Sequence, residues 1–459
     1  MKIIERNKTL LKTVLMVAFP IMIQNGFTNF VNLLDNIMVG RLGTEQMSGV
    51  AIVNELIFVY NLCIFGGLSG AGIFTAQYYG KSDAEGVRNT FRFKFVLAAG
   101  LVVTATVILL LFGENLIGFY LNESPDGGDL AAALRAGKSY LLIMLVGLPG
   151  FALTQVYSST LRECGQTVVP MKAGIAAVLV NLTLNYVLIY GKLGFSAMGV
   201  DGAAIATVIS RYVEASIVMI WTHRHSDEQP FVKGLYHTLR VPSLLVSRIT
   251  KKGMILLVNE TLWSLGMTLL TQCYSMRGLN AVAGVNIANT INNLFKVVFL
   301  AFGVSIGIIV GRLLGAGELE EAKETDRKII IISVVISCFV GFVMLTVSPF
   351  FPKLYKTNEI ARHIATSLIM VQAICIPLEA FKNATYFTLR SGGRTFLTFL
   401  FDGFFVIAVS FPIAYFMSRY TDASVVWILI SVHLGDLVKA VFGFILVKKG
   451  VWVRNIVAQ

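Results

Sequence analysis

The chain has 459 residues, of which 56% are hydrophobic and 14% are charged, and its mean hydropathy is +0.74. A soluble domain carries about 25% charged residues, so this composition excludes a soluble globular protein and indicates a membrane protein with many spans. The net charge of +12 is then explained by basic loops on the cytoplasmic side of a membrane, and we expect no nucleic-acid partner.

Apolar segments long enough to cross a bilayer recur along the whole chain. One span needs about 20 apolar residues. Twelve such segments are predicted, roughly at 13–38, 47–78, 93–113, 139–161, 168–190, 200–222, 253–275, 281–311, 329–350, 365–389, 396–417 and 424–447. With the N-terminus in the cytoplasm, most of the 38 Lys and Arg fall in cytoplasmic loops, as the positive-inside rule requires. We therefore predict an all-α polytopic protein of the inner (plasma) membrane, with both termini cytoplasmic.

The first span carries an acid and a proline. It begins after Lys12 and reaches Asp35 near its outer end, where a charge is expensive unless it has a function or a partner. Asp35 is predicted to bind a cation, or alternatively to be an exposed helix-end acid near Arg41. Pro20 removes one helical hydrogen bond, so it is predicted to be either a hinge or a static kink.

Polar residues on the fifth and sixth spans lie at a depth similar to that of Asp35. Asn181 and Asn185 are four residues apart and so share one helix face, and Thr207 enters the sixth span from outside. A carboxylate, two amide oxygens and a hydroxyl suit Na⁺ or a proton, although asparagines also join membrane helices to one another. Glu55, on the second span, faces either a cavity or a neighbouring helix.

Two acids of the C-terminal half are predicted to meet near the middle of the membrane. Glu260 lies in the seventh span after Lys252, and Glu379 lies in the tenth span before Arg390. Two close carboxylates do not both ionise easily without a cation, so the pair is a candidate for cation coupling or substrate binding, with Na⁺ as a candidate ligand. The alternative is that Glu379 is a structural carboxylate paired with Lys382.

Other charges within the spans are interpreted as structural. Asp436 and Lys439 are three residues apart on one helix and are predicted to form a salt bridge. Asp402 and Lys296 are not assigned this way: no partner is predicted for either, and each either lines the cavity or is neutralised by a group that the sequence does not identify.

Two blocks of sequence occur twice. "GAGIFTAQYYGKSDAEGVR" (70–88) aligns without a gap with "SIGIIVGRLLGAGELEEAK" (305–323), and "LPGFALTQVYSSTLRECGQT" (148–167) aligns with "IPLEAFKNATYFTLRSGGRT" (376–395). The copies are six helices apart, so they have the same orientation in the membrane. This pattern predicts parallel repeats with a substrate site between them and transport by alternating access.

The repeats predict two pseudo-symmetric six-helix bundles. The N-terminal lobe is predicted at 1–225, a cytoplasmic linker at 226–250 and the C-terminal lobe at 251–459. Within the linker, "VPSLLVSRI" (241–249) is either an interfacial helix or an ordinary connection.

Several short motifs, in this order and with this twofold repetition, resemble the MATE family of multidrug and toxic compound extrusion transporters. They are "DNIMVGRLG" (35–43), "QYYG" (77–80) with its twin "RLLG" (312–315), "LRECG" (161–165), "NLTLN" (181–185) and "GVDGAAIAT" (199–207). The resemblance covers nearly the whole chain.

The resemblance implies roles for the acids. It implies that Asp35 and the polar residues of helices five and six form a cation site in the N-terminal lobe, and that helix one bends as Asp35 is protonated. Glu260 fits the acid of helix seven in NorM-like members. Glu379 matches the spacing of their second acid, with Glu in place of the usual Asp, so its exact coordination is not implied.

The predicted function is secondary active antiport of amphipathic or cationic drugs or metabolites in exchange for Na⁺ or H⁺. Alternatives are a dedicated exporter of one metabolite and a lipid-linked flippase of the same superfamily. An enzyme is not predicted, because the five His are scattered and no metal or phosphate motif is evident. The predicted partners are a small organic substrate, a monovalent cation and the lipid bilayer. We expect a monomer without a cofactor.

Overall fold

The computed structural model describes residues 2–40, 42–121, 130–355 and 357–458. This part of the chain is almost entirely helical and contains no strand. The helices are α1 (Lys2–Gly40), α2 (Thr44–Gly80), α3 (Ala84–Leu121), α4 (Leu130–Glu163), α5 (Val168–Tyr190), α6 (Gly199–Arg224), α7 (Ser243–Ser275), α8 (Leu279–Phe295), α9 (Val297–Ala316), α10 (Leu319–Val347), α11 (Glu359–Ser391), α12 (Thr395–Phe399), α13 (Phe411–Tyr420) and α14 (Val425–Lys448).

The twelve predicted spans are confirmed: the described residues contain twelve helical stretches long and apolar enough to cross a membrane. Two spans are not single α-helices. The eighth is interrupted for one residue at Lys296, between α8 and α9. The eleventh contains two π-helical turns, Leu400–Phe404 and Val406–Ser410, between α12 and α13. π-turns are rare and often mark functional positions.

The linker prediction needs one correction. The segment 241–249 is not a separate interfacial helix, because α7 starts at Ser243 and continues without a break to Ser275. Ahead of it, a folded loop packs on α3: Arg92 donates to the carbonyl of Leu235 at 2.9 Å, and Arg88 donates to that of Phe231 at 3.2 Å.

Residue contacts divide the chain into two compact units. Unit 1 comprises Met1–Met22, Ala76–Asp83 and Arg248–Gln459, and unit 2 comprises Ile23–Thr75 and Ala84–Ser247. Helix α1 therefore leaves unit 1 two residues after Pro20, which lies inside the helix. The predicted lobe boundaries at 225 and 250 stay a prediction.

In unit 1, the first half of α1 contributes to the core. Val14, Ala18 and Ile21 are buried together with Phe302 of α9 and Ile329 of α10. Such packing of apolar faces holds membrane helices together where no polar group is present.

The end of α2 crosses α9 in unit 1 at very short range. A side chain at Gly80 would overlap the backbone of Arg312, and one at Gly315 would overlap the backbone of Gln77. Gly80 and Gly315 are equivalent positions in the sequence repeat. The repeated glycines thus allow close backbone contact at this crossing.

Unit 2 is held by small residues and by one buried ion pair. Gly202 of α6 lies against the backbone of Leu188 on α5. The fully buried Lys94 of α3 donates to Glu163 of α4 at 2.5 Å, and also to Thr160 at 3.2 Å. Because the lysine has several acceptors, its charge is compensated inside the bundle.

Candidate functional site

The structure brings together the three polar residues predicted on α5 and α6. Asn185 donates to the side-chain oxygen of Asn181 at 3.1 Å, and Asn181 donates to the hydroxyl of Thr207 at 3.3 Å. Both asparagines are buried. We call Asn181, Asn185 and Thr207 the amide cluster. It is a set of neutral oxygen and nitrogen atoms within an apolar bundle, and its oxygens suit a small cation.

Asp35 itself lies in α1, and its side chain lies outside the described residues. Its predicted place beside the amide cluster stays a prediction. The second half of α1 does contact the helices around it: the hydroxyl of Tyr190 on α5 donates to the carbonyl of Met38 at 3.2 Å.

Gln24 on α1 makes a hydrogen bond that the sequence interpretation did not predict. Its side-chain oxygen accepts a hydrogen bond from Arg162 of α4 at 2.8 Å, and its amide lies against Gly174 of α5. Gln24 is buried. The available signal in the sequence was an amide side chain inside a predicted span. This bond ties α1 to α4 inside unit 2.

In the C-terminal half, Glu260 and Glu379 belong to different hydrogen-bonded groups. Tyr386 of α11 donates its hydroxyl to Glu260 of α7 at 2.8 Å. Glu379 instead accepts from Lys382 at 2.6 Å, as the structural alternative proposed. Among the described residues, no hydrogen bond or ion pair joins the two glutamates.

Lys382 connects Glu379 to a second acid. Its ammonium also donates to Asp436 of α14 at 2.7 Å, and the ring of His433 lies 3.6 Å from Glu379 and 3.5 Å from Asp436. Lys382 and Asp436 are both buried. We call Glu379, Lys382, His433 and Asp436 the lysine cluster. Lys296 lies at the one-residue interruption between α8 and α9.

The predicted salt bridge between Asp436 and Lys439 is wrong. Lys439 pairs with Asp402 at 3.0 Å, while Asp436 pairs with Lys382. Asp402, for which no partner was predicted, has two, because Asn259 of α7 donates to it at 3.3 Å. Ion pairs with residues of other helical segments therefore take the place of the predicted pair within α14.

Asn259 also joins α7 to the π-helical part of the eleventh span. Its side-chain oxygen accepts the backbone N–H of Gly403 at 2.8 Å, within the π-turn that contains Asp402. Hydrophobic periodicity does not predict the π-turn. Asn259 was missed as well, although an amide inside a predicted span was an available signal, and the structure shows it fully buried.

Two remaining candidates are placed without a defined role. Glu55 is exposed on α2, and no hydrogen bond or ion pair to it is found among the described residues. Pro20 is buried inside α1, close to where this helix passes from one unit to the other. Their predicted roles in a cavity and as a hinge stay predictions.

Twelve membrane-capable helices that carry buried polar clusters, with two homologous halves in the sequence, are typical of a membrane transporter. The sequence model of the MatE family matches residues 20–187 and 255–434, and the chain belongs to this family. Its members are transporters and not enzymes.

Relatives and solved structures extend over almost the whole chain. The chain is 26% identical over 415 residues to the probable multidrug resistance protein NorM of Thermotoga maritima, covering 89% of this chain and 86% of the relative. It is 24% identical over 416 residues to the probable multidrug resistance protein YoeA of Bacillus subtilis, covering 89% and 88%. A mutant of the Vibrio cholerae MATE transporter VcmN superposes with a TM-score of 0.87 at 17% identity over 98% of each chain. That likeness confirms the fold.

Proposed function

We propose that this protein is a secondary active antiporter that exports amphipathic, often cationic, organic compounds in exchange for Na⁺ or H⁺. The observation that carries the proposal is the amide cluster, a buried polar group inside a chain of the MatE family. Relatives named as multidrug resistance proteins support the substrate class. The protein acts within the inner membrane, with both termini cytoplasmic, as a monomer and without a cofactor.

Coupling in the N-terminal half is assigned to Asp35 with the amide cluster. A carboxylate within a span needs neutralisation, and a proton or Na⁺ held by neighbouring oxygens supplies it. Because α1 changes units just after Pro20, a change at Asp35 can bend the helix there. The bend would couple cation binding to alternating access.

The C-terminal half supplies acids for the organic cation and for coupling. Glu260 is held by the neutral hydroxyl of Tyr386, so its negative charge is not cancelled by a direct ion pair among the described residues. Aromatic faces such as Tyr386 favour flat cations through cation–π attraction. Glu260 is therefore proposed to bind the coupling cation or the substrate, and Glu55 is proposed to line the substrate path. Glu379 is considered further below.

The experiment is ethidium uptake into energised inverted vesicles, with and without a Na⁺ gradient. We compare the parent with Asp35→Asn, Glu260→Gln and, as the matched control, Glu114→Gln, which removes an exposed acid. The control should transport like the parent, and Asp35→Asn should lose uptake.

Each outcome of this experiment is informative. Loss only in Asp35→Asn assigns coupling to the N-terminal half, and loss only in Glu260→Gln assigns it to the C-terminal half. Dependence on the Na⁺ gradient identifies the ion. If the parent moves no drug under any gradient, the multidrug proposal fails, and a dedicated metabolite exporter or a lipid-linked flippase takes its place.

A further inference from the structure

Lys382 occupies the space between two carboxylates in the middle of the C-terminal bundle. Its ammonium lies 2.6 Å from Glu379 and 2.7 Å from Asp436. The lysine is buried, with 8% of its surface exposed. An ammonium carries one positive charge and three N–H donors, so it satisfies the carboxylate oxygens that a bound monovalent cation would otherwise satisfy.

The lysine cluster has the ligand atoms of a cation site. Oxygen atoms of Glu379 and Asp436 and a ring nitrogen of His433 lie within 4.8 Å of one another. A free cation placed there would share both carboxylates with the ammonium of Lys382, at a distance where like charges repel strongly. The residues present therefore do not fit an added cation.

A second lysine of this region also pairs with an acid: Lys439 lies 3.0 Å from Asp402. Three acids of this region, Glu379, Asp402 and Asp436, thus each have a lysine within 3.0 Å. Glu260 differs, since its hydrogen bond comes from the neutral Tyr386.

The sequence repeat does not impose the lysine cluster. When 376–395 is aligned with 148–167, Glu379 falls on Phe151 and Lys382 falls on Thr154. The N-terminal half has no charge at either position, although both segments lie on helices with a proline at the same alignment position. The pairing of Glu379 with Lys382 is therefore not imposed by the repeat.

We propose that Lys382 is a built-in cation that excludes Na⁺ from Glu379 and Asp436. In this chain, Glu379 is a partner of the lysine and not a ligand of a free cation. If the proposed antiport holds, the consequence is that coupling in the C-terminal half falls to Glu260. Lys382 is thus a specificity-determining residue, because its length and charge decide which acid remains open to an ion.

The test is the midpoint of thermal unfolding of the purified full-length protein during a Na⁺ titration. N-methyl-D-glucamine replaces Na⁺ so that ionic strength stays constant. The variants are Glu379→Gln, Lys382→Met and Lys382→Arg. The matched control is Lys328→Met, which removes the lysine from a half-exposed Lys–Glu pair on α10. This measurement does not require transport, so it is independent of whether the proposed function is correct.

We expect Glu379→Gln to respond to Na⁺ like the parent. Lys382→Met should gain a Na⁺-dependent rise of about 1 °C for each tenfold increase in Na⁺ above its dissociation constant. Lys382→Arg and Lys328→Met should show no such gain.

Two results would overturn the proposal. One is that Glu379→Gln abolishes a Na⁺ response that the parent shows, which would make Glu379 a Na⁺ ligand. The other is that Lys382→Met folds and gains no response to Na⁺. If Lys382→Met does not fold, Glu379→Gln decides alone, because its Lys382 keeps Asp436 as a partner.

Discussion

The two units differ in the chemistry of their buried polar residues. The comparison is between α5 and α6 in unit 2 and α11 and α14 in unit 1. The amide cluster is built from neutral side chains on two neighbouring helices. The lysine cluster is built from full charges that compensate one another across helices. In the lysine cluster, the ammonium of Lys382 occupies the carboxylates that a cation arriving from outside would need. The three residues of the amide cluster contribute amide and hydroxyl groups and no ammonium.

The two arrangements also differ in what each contact contributes to stability. Hydrogen bonds between neutral groups of membrane helices contribute about 0.6 kcal/mol on average and at most about 1.7 kcal/mol. Removing one partner of a buried ion pair costs about 3–5 kcal/mol, because the other charge stays buried without compensation. Substitutions that remove single partners should therefore separate the two clusters.

The largest expected effect is that of Lys439→Met. Methionine keeps a side chain of similar length but removes the ammonium that binds Asp402 at 3.0 Å and lies over the rings of Phe401 and Phe405. We expect a loss of about 3 kcal/mol in the free energy of unfolding, measured by thermal or denaturant unfolding in detergent.

The control for this substitution is the double variant Lys439→Met with Asp402→Asn. It removes both charges and should recover most of the loss, because no charge then remains unpaired. Equal stability of the parent and the single variant would show that the Asp402 ion pair is not needed.

Two features of the structure were predictable from the sequence. The number of spans was predictable, because hydropathy acts over about 20 residues and is insensitive to contacts between helices. The shared position of Asn181, Asn185 and Thr207 was predictable as well, since two of them follow the four-residue spacing of one helix.

Contacts between distant helices were harder to predict. Asp436 and Lys439 have the right spacing for a pair on one helix, yet Lys382 and Asp402 compete successfully for them from neighbouring elements. Both residues are buried, so their partners depend on which opposite charges the neighbouring helices bring close, and the spacing along one helix does not encode that. The π-turn around Asp402 is likewise a result of packing that periodicity does not encode.

In unit 1, Glu260 accepts its hydrogen bond from the neutral hydroxyl of Tyr386 and not from a lysine. Tyr386→Phe removes the hydroxyl that donates to Glu260 at 2.8 Å but keeps the ring against Phe387. A hydrogen bond to a charged acceptor contributes about 1.5–3 kcal/mol, so we expect a loss in that range, measured by unfolding. Tyr415→Phe, at an exposed tyrosine, is the control. An unchanged stability would mean that Glu260 does not depend on Tyr386.

The amide cluster should respond less strongly. Asn181→Ala removes one hydrogen bond from Asn185 and one to Thr207, and we expect a loss of about 0.6–1.7 kcal/mol in the free energy of unfolding. Thr207→Ser keeps the hydroxyl and serves as the control. The loss follows from the two hydrogen bonds alone, so Thr207→Ser, which keeps both, should be close to the parent. Unchanged stability in Asn181→Ala would show that α5 and α6 do not depend on these bonds.

The smallest expected effect is that of Lys138→Met, in unit 2. Lys138 donates to Glu114 at 2.5 Å, which is as short as the bond between the buried Lys94 and Glu163. Both partners are about half exposed, so water and salt already stabilise the separated charges. We expect a loss of at most about 1 kcal/mol in the free energy of unfolding at low salt, and a smaller loss at high salt. A loss as large as that of Lys439→Met would mean that distance alone decides the strength of an ion pair here. The expected small loss would instead assign the difference between the pairs to burial.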